Sequence, residues 1–108
     1  MADKPSDEVE LSVVTMVFEA TDPDAVQGFL SRYVVLSRGH PGCRNIDLCL
    51  SAARPNRFVI IQKWESMDAQ RTHFDSQEMV EMAEACRGLL ANPPEIDLLE
   101  GISAHDLA

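Results

Sequence analysis

Three side chains near the middle of the sequence have the chemistry needed to act on a small aromatic molecule. His73, whose unperturbed pKa lies near 6.5, could remove the proton of a phenol or hydroquinone and leave an electron-rich anion that reacts with oxygen. Trp64 offers a flat apolar wall and an N–H donor to a planar ring, and the Gln62 amide could orient a carbonyl or hydroxyl group. In the alternative interpretation, His73 anchors a helix to a sheet and Trp64 packs in the core.

Four further residues are candidates for binding a substrate. Asn45 is predicted to share one strand face with Asp47, where its amide donors could hold a developing oxyanion; exposure at a solvated strand edge is the alternative. Tyr33, Phe58 and Met82 fall on apolar stripes of their predicted elements. They are expected either to line a cavity for an apolar ligand or to belong to the core.

The spacing of the histidines does not predict a metal site. None of His40, His73 and His105 stands four residues from another histidine or from a cysteine. His40 lies in a loop of proline and glycine, where a surface position or a place at the mouth of a pocket is expected. The sequence also lacks a glycine-rich phosphate loop and any flavin or nicotinamide fingerprint, so no cofactor is expected.

The cysteines favour a reducing compartment. Cys43, Cys49 and Cys86 are an odd number without metal-type spacing. Cys43 and Cys49 are predicted to lie in one strand, on the face that carries Asn45, and would then be ~20 Å apart at ~3.3 Å per residue. A disulfide needs Cα atoms within about 7 Å, so these two cannot pair. Free thiols are typical of the cytoplasm, which is the expected location.

The charge of the chain excludes two classes of partner. The formal net charge is −9, and the lysines and arginines form no basic stripe. This field opposes binding to nucleic acid and to an anionic membrane surface. The apolar stretches are strand-sized, well below the ~20 residues of a membrane span.

Apolar periodicity and turn residues predict the elements that must position these side chains. Asp22, Ser66 and Ser76 are each predicted to cap a helix that begins at the next residue. Arg54-Pro55-Asn56 predicts a tight turn between two antiparallel strands. The predicted strands are Val9 to Ala20, Cys43 to Ala52, Arg57 to Glu65 and Glu95 to Ile102; the predicted helices are 23 to 37, Met67 to Phe74 and Gln77 to Ala91.

This order predicts an α+β fold of the ferredoxin-like type. The elements follow the split βαββαβ pattern, with a four-stranded antiparallel sheet and helices on one of its faces. Residues 9–102 are expected to form a single domain. Residues 1–8 are expected to be a disordered acidic tail, and residues 103–108 a short C-terminal tail.

Both faces of the sheet are predicted to be apolar. In the third strand, Phe58, Ile60 and Trp64 lie on one side, while Val59 and Ile61 lie on the other. A sheet face in contact with solvent normally carries polar side chains. A second copy of the same sheet is therefore expected to cover the face that has no helices. The sequence therefore predicts a homodimer with a symmetric contact.

Two segments of the chain resemble a known family. Pro41-Gly42-Cys43 precedes the second strand, and Trp64-x-Ser66-x-x-Ala69-x-x-x-His73 follows the third. These segments resemble the antibiotic biosynthesis monooxygenase superfamily, and the likeness spans about residues 9–102. It implies a dimeric α+β barrel with a pocket between sheet and helices. Gln62 departs from the pattern, because many relatives have glutamate there, so a reaction that depends on that glutamate is not expected here.

The resemblance implies an enzyme that needs no cofactor. Characterised relatives oxidise quinols, anthrones and other aromatics with molecular oxygen; His73 would be the base, Trp64 the stacking wall, and Gln62 and Asn45 the polar orienters. The expected partner is a small aromatic or apolar ligand.

Three other functions remain open from the sequence. One is a non-catalytic dimeric module that binds a small ligand, in which case His73 would be inert and fully hydrogen-bonded. Another is an isomerase or a decarboxylating relative. The last is haem degradation, which is disfavoured because its branch has tryptophan at the position of His73 and histidine at that of Met82.

Overall fold

The computed structural model describes the backbone of residues 8–107 and the side chains of residues 11–102. Residues 1–7 of the expected acidic tail and residue 108 lie outside the described residues. The elements are β1 (Glu8–Glu19), α1 (Pro23–Ser37), β2 (Cys43–Leu50), β3 (Arg57–Trp64), α2 (Met67–Phe74), α3 (Gln77–Ala85) and β4 (Glu95–Leu107).

The strands form one antiparallel sheet in the order β2-β3-β1-β4. Together with the helices, this order confirms the α+β ferredoxin-like fold predicted from the sequence. The second helical part of the pattern consists of two separate helices, α2 and α3, as predicted from the two serine caps.

The helices begin where the sequence predicts them. Asp22, Ser66 and Ser76 each accept a hydrogen bond through the side chain from the backbone N–H three residues later, at 3.2, 3.0 and 3.3 Å. Each cap satisfies one of the N–H groups that the first helical turn leaves without a partner.

The core lies between the helices and one face of the sheet. Along β3, Phe58, Ile60, Gln62 and Trp64 are buried, and the residues between them are only half-buried. The buried side packs against apolar residues of α1 such as Leu30. The alternation confirms helices on one face and leaves a second, partly apolar face open in the single chain.

Helix α3 is shorter than predicted. It ends at Ala85 rather than Ala91, because Gly88 takes a positive φ of 80° that turns the chain away from the helix axis. The following residues instead extend along the end of β1, where the Ala91 N–H donates to the carbonyl of Glu19 at 2.8 Å. These residues form backbone hydrogen bonds to the sheet instead of the last turns of the predicted helix.

Strand β4 is longer than predicted. It continues past Ile102 to Leu107, so the segment expected to be a tail from residue 103 is strand as far as the structure describes it. The reason is that β1 begins at Glu8 and pairs its first residues with the extension, after a register shift between Glu10 and Ser12. The backbone groups of these residues are thereby paired in the ladder.

A bulge near the start of β2 separates two residues that were predicted to share a face. Cys43 pairs with Trp64 on the helix side, whereas Asn45 pairs with Lys63 on the open side, and the register shifts between them. An extra residue in one strand reverses the facing of everything beyond it. The prediction that Cys43 and Asn45 share a face was therefore wrong.

No helix within residues 8–107 is long and apolar enough to cross a membrane.

Candidate functional site

Six polar or aromatic side chains from five parts of the chain meet beneath the helices. We call them the polar cluster: Tyr33 of α1, His40 of the loop before β2, Gln62 and Trp64 of β3, His73 of α2, and Glu78 of α3. Four of these were singled out from the sequence, and His40 and Glu78 complete the set.

Trp64 fixes the end of the cluster that lies on the sheet. Its ring stacks on the His73 imidazole, with centroids 4.6 Å apart and an interplanar angle of 28°. Its Nε1–H donates to Gln62 Oε1 at 2.9 Å. Trp64 is fully buried, so this face holds His73 rather than an open place for a substrate ring.

The Gln62 amide has only one orientation that satisfies its neighbours. The indole N–H can only donate, so the amide oxygen must face Trp64 and the amide nitrogen must point the other way. There, Nε2 donates to Tyr33 Oη at 2.6 Å and lies 3.3 Å from Met16 Sδ. Gln62 therefore serves as a donor to the Tyr33 oxygen.

The same logic determines the protons on both histidines. Because Tyr33 Oη accepts from Gln62, its own proton is free to donate to His73 Nε2, 2.5 Å away. A neutral His73 then carries its proton on Nδ1 and donates to His40 Nδ1 at 3.0 Å. His40 in turn carries its proton on Nε2 and donates to Glu78 Oε1 at 2.8 Å. All the donors point in one direction, from the sheet toward α3.

Burial keeps the inner members of the cluster uncharged. Desolvation, followed by the charge of His40, lowers the pKa of His73 to about 4, against the opposing effect of Glu78. Burial raises the pKa of the Tyr33 hydroxyl well above its ordinary value. At neutral pH, His73 is thus a neutral imidazole and Tyr33 a neutral phenol.

Three hollows lie in this part of the protein, and members of the cluster border two of them. The largest apolar one, about 430 Å³, lies between α3, β1 and the start of β4 and is lined by Met16, Phe18 and Met82, among others. A second, about 230 Å³, lies between α1 and α3 and is bordered by Tyr33, Glu78 and again Met82. The third, about 160 Å³, is bordered by His40 and His73.

Two of the predicted substrate-binding residues lie away from the cluster. Asn45 is exposed on the open face of the sheet, where its amide donates to Asp47 at 3.1 Å. Phe58 is buried at the far end of β3, opposite Phe18. Met82 is the predicted substrate-binding residue that borders both of the larger hollows.

Glu78 was not identified as a site residue from the sequence, and His40 was expected only at the surface or at the mouth of a pocket. They are 38 residues apart, and only the packing of α3 against the loop brings them together. The sequence signal for His40 was its place just before Pro41-Gly42-Cys43, whereas for Glu78 the sequence gives no signal beyond a favourable charge in a first helical turn.

Within the described part of the chain, no group of three or more His, Cys, Asp or Glu side chains is arranged to hold a metal ion.

Comparisons with known proteins identify the family to which the chain belongs. Residues 12–85 match the family model described as antibiotic biosynthesis monooxygenase. A candidate antibiotic biosynthesis monooxygenase from Nitrosomonas europaea is 18% identical, with a TM-score of 0.81 over 88% of this chain and 93% of that one. Rv0793 from Mycobacterium tuberculosis is 24% identical, with a TM-score of 0.78 over 87% of this chain and 97% of that one.

A third similar structure is PA3566 from Pseudomonas aeruginosa, which is 23% identical, with a TM-score of 0.75 over 88% of this chain and 96% of that one. No curated protein sequence matches the chain significantly. At these identities the solved structures show the fold alone, and the family rests on the match over residues 12–85. This chain belongs to the antibiotic biosynthesis monooxygenase family.

Proposed function

We propose that the protein is a cofactor-independent monooxygenase that oxidises a small electron-rich aromatic, of the quinol or anthrone type, with molecular oxygen. The observation that carries the proposal is a buried phenol hydroxyl, Tyr33, hydrogen-bonded to the neutral imidazole of His73. Tyr33 borders the hollow of about 230 Å³, and Met82 lines both this hollow and the apolar one of about 430 Å³. Membership of the family supports the same reaction class.

The large apolar hollow is the proposed substrate site. Its volume lies within the usual range for small-molecule pockets, about 300–1,000 Å³, and suits a molecule of two or three fused rings. Met16 and Met82 stand between this hollow and the polar cluster, since Met16 contacts Gln62 and Met82 also borders the hollow beside Tyr33. Methionine side chains adapt readily to an apolar ligand.

In this proposal, His73 acts as a base through Tyr33. Both ring nitrogens of His73 are engaged, so a substrate does not reach them directly. The Tyr33 oxygen accepts a hydrogen bond from Gln62 and donates one to His73, and the buried Ser37 hydroxyl also interacts with it. The substrate hydroxyl would take the place of Ser37 and donate to the Tyr33 oxygen as the Tyr33 proton passes to His73 Nε2. Trp64 and Gln62 hold the pair in position.

The proposed oxidation balances without an external reductant. Loss of the substrate O–H proton gives a phenolate, which passes one electron to O₂ and yields a phenoxyl radical and superoxide. These combine by forming a C–O bond at a ring carbon that carries hydrogen. The O–O bond then breaks as the ring C–H proton leaves and a carbonyl forms. One phenol and one O₂ thus give one quinone and one water.

Oxygen uptake tests the proposed function. With a panel of hydroquinones, anthrones and naphthols, and without added metal or flavin, the wild type is expected to consume oxygen above background. His73→Gln should lower the rate at least about tenfold, because the imidazole acceptor is lost. Asp68→Asn serves as the control and should retain the wild-type rate, because the Asp68 side chain is 94% exposed on α2 and pairs with Arg71 at the surface. Equal rates for His73→Gln and wild type would contradict the role of His73.

One observation favours a second function, a non-catalytic module that binds a small apolar ligand. His73 is only 1% exposed and is hydrogen-bonded at both ring nitrogens within the protein. Such a residue can be purely structural. Ligand binding that quenches Trp64 fluorescence, without oxygen uptake for any compound of the panel, would favour this function over the monooxygenase.

We also propose that the protein works as a homodimer through the open face of the sheet. Val59, Ile61 and Val13 are half-buried on this face, and Leu99 beside them is 45% exposed. A sheet with apolar residues on both faces is usually covered on both of them. Here the helices cover one face, and a second subunit would cover the other.

Ile61→Lys is expected to yield a folded monomer in sedimentation equilibrium, because a charge would be buried in the contact. Val80→Lys, a matched change on an exposed residue of α3, should remain dimeric. A monomeric wild type at micromolar concentration would contradict the proposed dimer.

The cytoplasm is the proposed location. Cys43, Cys49 and Cys86 are all free thiols, which persist in a reducing compartment.

A further inference from the structure

The hydrogen bonds of the polar cluster continue past the proposed acid–base pair to the protein surface. His73 donates to His40 at 3.0 Å, and His40 donates to Glu78 at 2.8 Å. The side chains of His40 and Glu78 are 23% and 30% exposed, whereas His73 is 1% exposed. Each step thus brings the series closer to solvent, and it ends at a carboxylate that can exchange protons with water.

We propose that His40 and Glu78 are the proton exit of the buried Tyr33–His73 pair, so that a proton taken from the substrate leaves through them to solvent. This inference rests on the proposed function, since it assumes that the pair takes a proton from a substrate. It assigns a role to His40 and Glu78, neither of which borders the proposed substrate site.

The transfer can be written with every proton placed. The substrate O–H bond breaks and its proton joins the Tyr33 oxygen, while the former Tyr33 proton moves to His73 Nε2. The Nδ1 proton of His73 moves to His40 Nδ1, and the Nε2 proton of His40 moves to Glu78 Oε1. Both imidazoles exchange one tautomer for the other, and one proton arrives on Glu78, which then releases it to water.

This route avoids a charge on any buried member of the cluster. Burial disfavours both the imidazolium of His73, whose pKa is lowered to about 4, and the tyrosinate of Tyr33. A proton held on His73 would also be sealed from water, because that side chain is almost completely buried. Passing the proton on to His40 as His73 receives one leaves His73 neutral before and after the transfer.

The charged groups that face the cluster are compatible with proton transfer from His73 toward Glu78. Glu65, at the end of β3, borders the small hollow that His40 and His73 share. Arg32 and Glu81 border the hollow between α1 and α3 together with Glu78. Within the part of the chain that the structure describes, none of these three replaces Glu78 as the hydrogen-bond partner of His40.

A purely structural role is the alternative, in which the His40–Glu78 contact ties α3 to the loop before β2. Glu78→Gln separates the two roles, since the glutamine oxygen can still accept from His40 Nε2 but cannot take up its proton. Glu81→Gln, on the same helix, changes the net charge equally and is the matched control. Glu81 is exposed and accepts from Gln77 at 3.0 Å, outside the cluster.

Glu78→Gln is expected to lower kcat at least about tenfold with KM and melting temperature nearly unchanged, whereas Glu81→Gln should behave as the wild type. Added imidazole or acetate buffer should raise the rate of Glu78→Gln in proportion to buffer base, because an external base can take the proton from His40. A structural role would not respond to buffer. Wild-type kcat in Glu78→Gln, with oxygen uptake intact, would overturn the proton exit and leave the proposed function standing.

The tautomers of the resting protein test the proton exit without any turnover. Imidazole ¹⁵N spectra of the wild type at neutral pH should show His73 protonated at Nδ1 alone and His40 at Nε2 alone. His40 protonated at Nδ1, or either ring doubly protonated, would overturn the proposal. If no compound of the panel is oxidised, the proposed function fails and this spectrum alone decides whether the directed series exists.

Discussion

Gly42→Ala is expected to destabilise the fold by about 3–5 kcal/mol, the largest stability loss that we expect from a single methyl group in this chain. Gly42 has a φ of 82°, a conformation that costs an L-residue about 1–2 kcal/mol. A Cβ at this position would lie 2.4 Å from the Cβ of Ala69 and 3.3 Å from Cγ of Glu65. The loop before β2 or helix α2 would have to move, and His40 and His73 are attached to these two elements.

Substitutions at two other glycines separate the two causes of this loss, the cost of the backbone conformation and the steric contact with Ala69. Gly88 has a φ of 80° with nothing within 4 Å of an added Cβ, so Gly88→Ala should cost only the conformational part, about 1–2 kcal/mol. Gly28 lies inside α1 with open space around it, and Gly28→Ala should stabilise the protein by up to about 1 kcal/mol. Urea unfolding followed by the fluorescence of Trp64 measures all three. A loss for Gly42→Ala no larger than that for Gly88→Ala would contradict the close contact with Ala69.

Tyr33→Phe is expected to lower kcat about 100-fold or more, the largest effect on activity in the proposed mechanism. The Tyr33 hydroxyl links the substrate to the imidazole, because His73 is otherwise closed off by Trp64 and His40. Phenylalanine preserves the shape of the ring and removes only this oxygen. Substrate affinity should change little, since the proposed site is formed mainly by apolar side chains.

The stability of Tyr33→Phe must be measured beside its activity. Removing the hydroxyl leaves the Gln62 amide and His73 Nε2 without their partner, at a cost of about 1–3 kcal/mol. Ser31→Ala deletes a hydroxyl from an exposed residue of the same helix, α1, and serves as the control with normal activity. A folded Tyr33→Phe variant whose kcat stays within about threefold of the wild type would exclude Tyr33 from the proton transfer.

Local signals in the sequence were sufficient for most of the fold. The alternation along β3 correctly predicted that Phe58, Ile60 and Trp64 share one face of the sheet, and capping residues predicted the starts of all three helices. Each of these features depends on residues within a few positions of one another. The predicted end of β4 was wrong because it is decided by pairing with β1, which is distant in sequence. The predicted end of α3 was wrong because Gly88 was not recognised as the stop, and the residues after it bond to the end of β1.

The sequence predicted those residues of the candidate site that lie on consecutive elements of the chain. Gln62, Trp64 and His73 lie on β3 and on the helix that follows it, so their proximity follows from the order of these elements. Asn45 was predicted to share a face with Cys43, but a bulge, which no residue pattern announced, turns it to the open face. Its exposure there, on an edge strand, is the alternative that the sequence had left open. The expected stacking surface of Trp64 is instead occupied by His73, a contact that depends on how α2 packs.

In the proposed reaction the protein inserts one atom of molecular oxygen into an aromatic substrate, and labelling with ¹⁸O₂ follows that atom. The compound with the fastest oxygen uptake is converted by the wild type under ¹⁸O₂, and the product is analysed by mass spectrometry before its carbonyl oxygens exchange with water. Without added cofactor, the product is expected to carry one ¹⁸O atom, and the second ¹⁸O atom is expected in water. An unlabelled product, or hydrogen peroxide formed in proportion to the oxygen consumed, would exclude a monooxygenase reaction.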